Sequence, residues 1–297
     1  MNQPFDKEKI LFLINPISGT KYKGHLPELI TKMVDPTIFN AEVVITKYKG
    51  EATEIVIRKL AENYRYFVAV GGDGTVNEIA KALINTKAVL GIIPVGSGNG
   101  LARHLHIPLN PEKAIKMINK LNYQAIDYGL INDTPFFCTC GVGFDALIGD
   151  KFAQSKGRGL SNYVKTTIKE YFNYQPEIYH ITIDDGEKID QRAFLITFAN
   201  GSQYGNNAYI APKADISDGK LDICILSPFR LYKAPGIGIR LFAGNIDRSR
   251  LMLNSRGTKI LLERSKEGVV HFDGEPCQMG KEIEIALINK GLNVFIP

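Results

Sequence analysis

The chain has 297 residues, of which 44% are hydrophobic and 23% charged, so wholesale disorder and coiled coil are excluded and about two domains are expected. Lys and Arg number 36 against 31 Asp and Glu. The resulting +5 is too small to mark a nucleic-acid binder and suits an anionic ligand or an anionic membrane surface.

The four cysteines, Cys138, Cys140, Cys224 and Cys277, are expected to be reduced and buried, since one C-x-C pair does not complete a zinc site. Residues 1–9 are polar and carry Asp6 and Glu8, which argues against a secretory signal. No run approaches the roughly 20 apolar residues that cross a bilayer. The expectation is a cytoplasmic protein, soluble or peripheral at the inner membrane face.

The first half alternates strands and helices. Ile10–Ile14 is an apolar run that stops at Asn15 and Pro16. Leu26, Leu29, Ile30 and Met33 follow with helical spacing, then Val43–Ile45 as a second strand. Ile55, Val56, Lys59 and Leu60 suit a helix, and Phe67–Val70 a buried strand. Val76, Ile79, Ala80, Leu83 and Ile84 form a helical stripe before the strand Val89–Ile93. Asn110-Pro111-Glu112 reads as a helix start, with Ala114, Ile118 and Leu121 on one face. Such alternation argues for a mostly parallel sheet covered on both sides.

After about residue 125 strands dominate, at 125–131, 135–140, 177–183, 192–199, 221–226, 258–262, 268–272, 282–287 and 291–296. Asp185-Gly186 reads as a hairpin turn, and one helix is expected near 161–173, with Val164, Ile168 and Tyr171 on one side. The pattern suggests an antiparallel sandwich or barrel.

Three polar, glycine-bearing loops close strands of the first half. Gly71-Gly72-Asp73-Gly74-Thr75 follows Phe67–Val70 and opens the helix with Asn77 and Glu78. Glycines there let backbone approach a ligand, and the helix N-terminus favours phosphate. Asp73 would repel a bare phosphate, an objection that a bridging Mg²⁺ removes. The alternative is a tight turn capped by Asp73 and Thr75. Pro94-Val95-Gly96-Ser97-Gly98-Asn99-Gly100 ends the next strand, with Ser97 and Asn99 able to bond phosphate or ribose, and Asn15-Pro16-Ile17-Ser18-Gly19 ends the first. Neither a Walker A loop nor G-x-G-x-x-G is present in its proper setting.

Two acidic stretches stand out later. Asp273-Gly274-Glu275 is either a polar hairpin turn or a proton acceptor whose two acids tune each other. Ala214-Asp215-Ile216-Ser217-Asp218-Gly219-Lys220 is either a solvated loop or a site for a hard cation. His104 and His106 read as ordinary polar positions, and His271 has no orienting partner that the sequence names. A G-x-S-x-G elbow is absent, which disfavours a serine hydrolase.

Taken in order, Asn15-Pro16-x-Ser18-Gly19, Gly71-Gly72-Asp73-Gly74-Thr75-Val76-Asn77-Glu78 and Pro94-x-Gly96-Ser97-Gly98-Asn99 resemble the diacylglycerol kinase catalytic family, in particular its small soluble bacterial lipid kinases. The resemblance covers nearly the whole chain. It implies an N-terminal α/β domain similar to those of NAD kinase and phosphofructokinase, over 1–127, and a C-terminal β-sandwich domain over 128–287, with 288–297 able to return to the first. ATP would lie in the cleft between them.

By position, the resemblance assigns Asn15, Ser18, Thr46, Gly71, Gly72, Asp73, Gly74, Thr75, Val76, Asn77 and Ser97 to the nucleotide. It makes Glu275 the general base, with Asp127 and Asp73 in a network of water or Mg²⁺. Asp215, Asp218 and the carbonyl of Lys220 become ligands of a second, structural Mg²⁺. Many bacterial relatives read Thr-x-Asn-Asp where this chain has Ser97-Gly98-Asn99-Gly100, a form closer to sphingosine and ceramide kinases.

The function implied is ATP-dependent phosphorylation of a lipid hydroxyl, with diacylglycerol, a sphingoid base, ceramide or phosphatidylglycerol as acceptor. NAD kinase is a competing reading, and so is a non-catalytic nucleotide sensor or membrane adaptor. Lys151, Lys156, Arg158, Lys165 and Lys169, and the mixed stretch Phe229–Arg250, are candidates for contact with anionic lipid. The segment 143–175 is a candidate part of the acceptor groove. RNA binding is disfavoured, and the oligomeric state, including a homodimer, stays open.

Overall fold

The computed structural model describes residues 7–19, 24–154 and 160–297, without the side chains of 152–154 and 160–166. Lys156 and Arg158 lie outside the described residues, as do the side chains of Val164 and Lys165. The chain divides into two compact units: residues up to Ile126 together with Lys290–Pro297, and Asp127–Asn289.

The first unit runs β1 (Glu8–Ile14), α1 (Leu26–Met33), β2 (Phe39–Ile45), α2 (Glu51–Ala61), β3 (Tyr66–Gly71), α3 (Asp73–Leu83), β4 (Val89–Pro94), α4 (Gly100–His104) and α5 (Pro111–Ile118). Ile10–Leu13 and Phe67–Val70 are fully buried, as the unbroken apolar runs require of strands covered on both faces. Neighbouring strands β2-β1-β3-β4 are all parallel. The chain steps from β1 to one side for β2 and to the other for β3. That reversal makes a topological switch point at the carboxyl ends of β1 and β3, the place where open α/β sheets bind ligands.

Asn110 caps α5 as its residue type predicts, accepting from the Lys113 N–H at 3.0 Å. The predicted stripe through Leu121 overshoots: α5 ends at Ile118, and Leu121 has a left-handed φ of 56°. Short α4 was not predicted, because its five residues hold less than one apolar repeat.

Strand β5 (Tyr123–Ile131) leads into the second unit. There follow β6 (Thr134–Phe136), β7 (Thr139–Gly143), α6 (Phe144–Gln154), α7 (Leu160–Asn173), β8 (Glu177–Ile183), β9 (Glu187–Ala193), β10 (Leu195–Ala199) and β11 (Leu221–Leu226). The chain ends with α8 (Ala234–Phe242), β12 (Met252–Gly257), β13 (Lys259–Arg264), β14 (Gly268–Phe272), β15 (Glu275–Met279) and β16 (Glu282–Phe295). The first part of β16 pairs antiparallel with β13, and Asn293 and Val294 pair parallel with Val89 and Leu90 of β4. The predicted strands 282–287 and 291–296 are thus one strand, whose end from Lys290, at a φ of 50°, belongs to the first unit.

Within the second unit, β16-β13-β8-β9 form one antiparallel layer and β12-β11-β10-β7-β14-β15 a second sheet. The predicted hairpin is present, with Asp185 at φ 58° between β8 and β9. Period-two alternation sorts the second sheet's faces: Ile223 and Ile225 enter one core, with Ile196, Phe198 and Val142, while Cys224 and Leu226 enter another. This second core, on the far face, holds Phe144, Ile148, Phe194, Ile210 and Ile246, with Ile237 and Leu241 of α8 packed against it.

The helices α6 and α8 depart from the strand-dominated expectation. In α8, Pro235 and two glycines mask the helical signal, and burial of the i, i+4 pair Ile237 and Leu241 overrides it. Cys138, Cys140 and Cys224 are buried as expected, and burial pushes the Cys140 thiol well up. Cys277 corrects the expectation: it is exposed on β15, at the edge of its sheet.

Candidate functional site

The strand-end loops of the first unit pack on one another, and glycine is what lets them. A Cβ on Gly19, whose φ is 68°, would meet the Val95 carbonyl oxygen at 2.2 Å. One on Gly96 would lie 2.4 Å from the Gly72 Cα. The three loops after β1, β3 and β4 therefore touch backbone to backbone. Gly96→Ala should force the last two apart, costing about 1–3 kcal/mol of stability. It should raise KM for ATP by about tenfold, with a smaller change in kcat, readable by thermal unfolding and steady-state kinetics.

Asp73 clasps the same two loops. Its carboxylate accepts from the Asn99 N–H at 2.8 Å and the Gly100 N–H at 2.6 Å. Burial pushes its carboxyl up, against the pull of those two amides. The residue suspected of repelling phosphate thus has its charge answered by backbone donors. Gly98 must lack a side chain for the clasp to close, since a Cβ there would sit 2.6 Å from Asp73 Oδ2. Gly100, lacking the acid that the resemblance led one to expect, contributes its N–H to Asp73.

Asn99 differs from its expected role. It adopts a left-handed φ of 53° and closes on its own loop, accepting from Gly96 N–H at 3.1 Å and donating to Gly96 O at 2.9 Å. Ser97, by contrast, is exposed at the loop tip, and Gly74 is exposed on the first turn of α3. Thr75, Val76 and Asn77 are buried beneath that turn. Thr75 Oγ1 and Asn77 Nδ2 find no hydrogen-bond partner among the described residues. Gly71 lacks a side chain because Thr75 Oγ1 would lie 2.3 Å from its Cβ.

Asn15 folds its loop through an acceptor contact with Ile17 N–H at 3.1 Å, and Ser18 Oγ donates to Asn15 O at 3.1 Å. Thr46 N–H donates to Ile14 O at 2.9 Å, which places Thr46 beside the end of β1. The structure therefore brings Asn15, Ser18, Thr46, Gly71–Asn77 and Ser97 to one edge of the parallel sheet. The α3 N-terminus lies among them with its positive dipole end.

The second unit holds the acids. Asp273 and Gly274, with φ of 48° and 83°, form the two-residue turn between β14 and β15. Asp273 accepts from three backbone donors: Phe137 N–H at 2.7 Å, Cys138 N–H at 2.7 Å and Thr139 N–H at 3.0 Å. Both its oxygens are engaged by backbone, so Asp273 builds the turn. Glu275, half-buried, is the first residue after that turn, opposite Phe272.

Asp127 is fully buried, and its Oδ2 accepts from the Gly219 N–H at 2.8 Å. Its carbonyl accepts from Asn200 Nδ2 at 2.8 Å, and Asn200 also reaches Phe137 O at 2.9 Å. Asp127 and Asn200 thereby brace the acidic loop and the segment that Asp273 holds.

The loop itself tests poorly as a structural metal site. Asp215 Oδ1 turns inward to Ser217, accepting from its N–H at 2.9 Å and its Oγ at 2.7 Å. Asp218 Oδ1 accepts from Lys220 N–H at 3.0 Å, while Oδ2 pairs with the Arg256 guanidinium. Arg256 also approaches Asp222 through Nε at 3.4 Å. Asp215 Oδ1 and both oxygens of Asp218 are thus taken up by protein donors, so the donors as arranged do not present an open set to a divalent ion. Removing divalent cations with EDTA should then leave the melting temperature unchanged within about 1 °C, since a ligand stabilises only what it binds. A rise of several degrees on adding Mg²⁺ without nucleotide would restore the metal assignment.

A buried polar cluster lies on the far face of the second sheet. His271 Nε2 meets Asp145 Oδ2 at 3.0 Å, and the same oxygen accepts from Tyr204 OH at 2.9 Å. Thr197 Oγ1 and Tyr204 OH are 2.6 Å apart. The orienting partner of His271 is thus Asp145, on the first turn of α6. A separation of 126 residues gave no sequence signal of the pair. The cluster ties α6 to β14, the strand that leads into the Asp273 turn.

The chain thus links a parallel, doubly wound unit, with clasped glycine loops at its switch point, to an antiparallel sandwich with an Asp-Gly-Glu turn. Two family profiles match in order: "Diacylglycerol kinase catalytic domain" over residues 9–131 and "YegS C-terminal NAD kinase beta sandwich-like domain" over 138–286. The chain belongs to the diacylglycerol kinase catalytic family, and so to the ATP-dependent lipid kinases.

Among its relatives, "Probable lipid kinase YegS-like" of Pseudomonas aeruginosa is 29% identical over 86% of this chain and 84% of the relative. The "Diacylglycerol kinase" of Mycobacterium tuberculosis is 29% identical over 72% of each. A solved diacylglycerol kinase structure from Bacillus anthracis str. Sterne superposes with a TM-score of 0.74 at 23% identity, covering 98% of this chain and 97% of that one. An NAD kinase from Archaeoglobus fulgidus in complex with ATP shares the fold, with a TM-score of 0.54 at 15% identity over 97% and 93%.

Proposed function

We propose that this chain transfers the γ-phosphoryl group of MgATP to a lipid hydroxyl, with diacylglycerol as the first acceptor to test. The observation that carries the reading is the Asp73 clasp, which stacks the Gly72 and Gly96 loops at the β1/β3 switch point within the span of the catalytic profile. In this reading the triphosphate lies over Gly72–Thr75, against the positive end of α3, and Ser97 and the Asn15–Ser18 loop meet the nucleotide. Magnesium bound with ATP would offset phosphate charge.

Glu275 takes the proton of the lipid hydroxyl as its oxygen attacks the γ-phosphorus in line. The bond to the β-γ bridging oxygen breaks and ADP leaves. Asp73 and Asp127 act as positioning residues, the first by holding the loops and the second by bracing the acidic loop. The Asp273 turn fixes where Glu275 emerges.

Labelled ATP supplied to a total lipid extract, to a panel of diacylglycerol, ceramide, sphingoid base and phosphatidylglycerol, and to NAD tests the proposal, with products identified by mass. A phosphorylated lipid is expected. Phosphorylated NAD without any lipid product would replace it with an NAD kinase. ATP binding with no transfer would leave a sensor or adaptor.

A further inference from the structure

Among the described residues, no helix is long and apolar enough to cross a membrane. One helix nonetheless leaves much of its apolar surface in water. No residue of α8 is buried, and only Ile237 and Leu241 pack toward the core beneath it. On the outward side Ile239 is 70% exposed and Phe242 63%, with Tyr232 at 71% just before the helix. Ile239 and Phe242, three apart, share one stripe of α8, and Tyr232 lies in the 3-10 turn that precedes it.

The charge along this stretch of chain has one sign. From Ile223 to Ile246 the chain contains Arg230, Lys233 and Arg240 and no Asp or Glu, and Arg248 and Arg250 follow just beyond Asp247. On α7, Ile168 and Phe172, one turn apart, are likewise 49% and 70% exposed. α7 is tied to the stretch that leads into α8, since Tyr171 OH donates to the Phe229 carbonyl and the Tyr171 and Phe229 rings are 5.8 Å apart. In the first unit the exposed Ile17, Ile57 and Leu109 stand singly along the chain.

We propose that the outward stripe of α8, with the exposed end of α7, is the surface by which this protein docks on an anionic lipid bilayer. Tyr232, Ile239 and Phe242 enter the headgroup boundary and Arg230, Lys233 and Arg240 meet lipid phosphates. An apolar stripe rimmed by cations is the composition of helices that lie in a membrane interface. A second copy of the chain is a poorer occupant, because a twofold contact would bring Arg230, Lys233 and Arg240 against their own copies. The inference deepens the lipid-kinase reading by naming how the enzyme reaches a substrate that stays in the bilayer.

The test is co-sedimentation of the full chain with phosphatidylcholine vesicles, with and without about 30 mol% phosphatidylglycerol. Wild type should pellet with the anionic vesicles and be released by salt. The double variant Ile239→Glu, Phe242→Glu should bind about tenfold or more weakly. Lys233→Gln, Arg240→Gln, which leaves the apolar stripe intact, should lose the preference for anionic vesicles. Both should keep wild-type phosphorylation of acceptor dispersed in detergent micelles.

Equal vesicle binding by wild type and both variants would overturn the proposal. So would a wild-type dimer that the first variant dissociates while neither form binds vesicles. Failure of the lipid-kinase reading shows differently, as vesicle binding that the variants abolish without lipid phosphorylation in micelles by any form.

Discussion

Glu275→Gln should lower kcat by about 10²–10⁴ while KM for ATP stays within about twofold. The substitution keeps the shape of the side chain and removes its capacity to accept a proton. Phosphoryl transfer passes through a loose transition state in which positioning and charge do most of the work, so the penalty has an upper bound. ATP binding should be unaffected, since the residues proposed to hold it are in the strand-end loops of the first unit. Steady-state kinetics with saturating acceptor, plus a direct measurement of nucleotide affinity, separate these effects. A variant with wild-type turnover would remove Glu275 from the base role.

The periodicity of the first half made its parallel sheet legible, because strands buried on both faces must be written as unbroken apolar runs such as Ile10–Ile14 and Phe67–Val70. The strand-end loops were legible too, since glycine where backbone touches backbone leaves a mark in composition. What each polar residue does inside those loops was not. Asn99 suited a ligand by type, yet its amide closes on Gly96. Asp73 suggested a metal bridge, yet its carboxylate meets two backbone amides brought from 26 and 27 positions away.

The second unit was less legible because its contacts are long-range. The pairing of Asp145 with His271 and the grip of Arg256 on Asp218 join positions with no shared local pattern. Helix α8 hid behind proline and glycine, and its two inward residues, Ile237 and Leu241, declare themselves only once a core exists for them to meet. Local propensity therefore failed where tertiary burial decides conformation.

Asp273→Ala should be the most damaging single substitution for the second unit, and it should act on the same chemistry from behind. Three backbone N–H groups, of Phe137, Cys138 and Thr139, converge on the Asp273 carboxylate, and Cys138 and Thr139 are buried. Alanine leaves all three donors without their acceptor. Charge-assisted bonds of this kind contribute roughly 1.5–3 kcal/mol each and are not additive, so a total loss of about 3–5 kcal/mol is expected. For a unit of this size that lowers the melting temperature by about 10 °C.

Asp273 also holds a left-handed φ of 48°, which alanine tolerates poorly. Asp273→Asn tolerates that conformation and keeps one acceptor oxygen, so it should recover about half of the lost stability. Activity should follow the same order at a temperature well below either melt. Because Glu275 leaves the turn that Asp273 anchors, kcat should fall by about tenfold or more, with KM for ATP nearly constant. An Asp273→Ala enzyme that unfolds early but turns over normally in the cold would mean that the turn stabilises the sandwich without positioning Glu275.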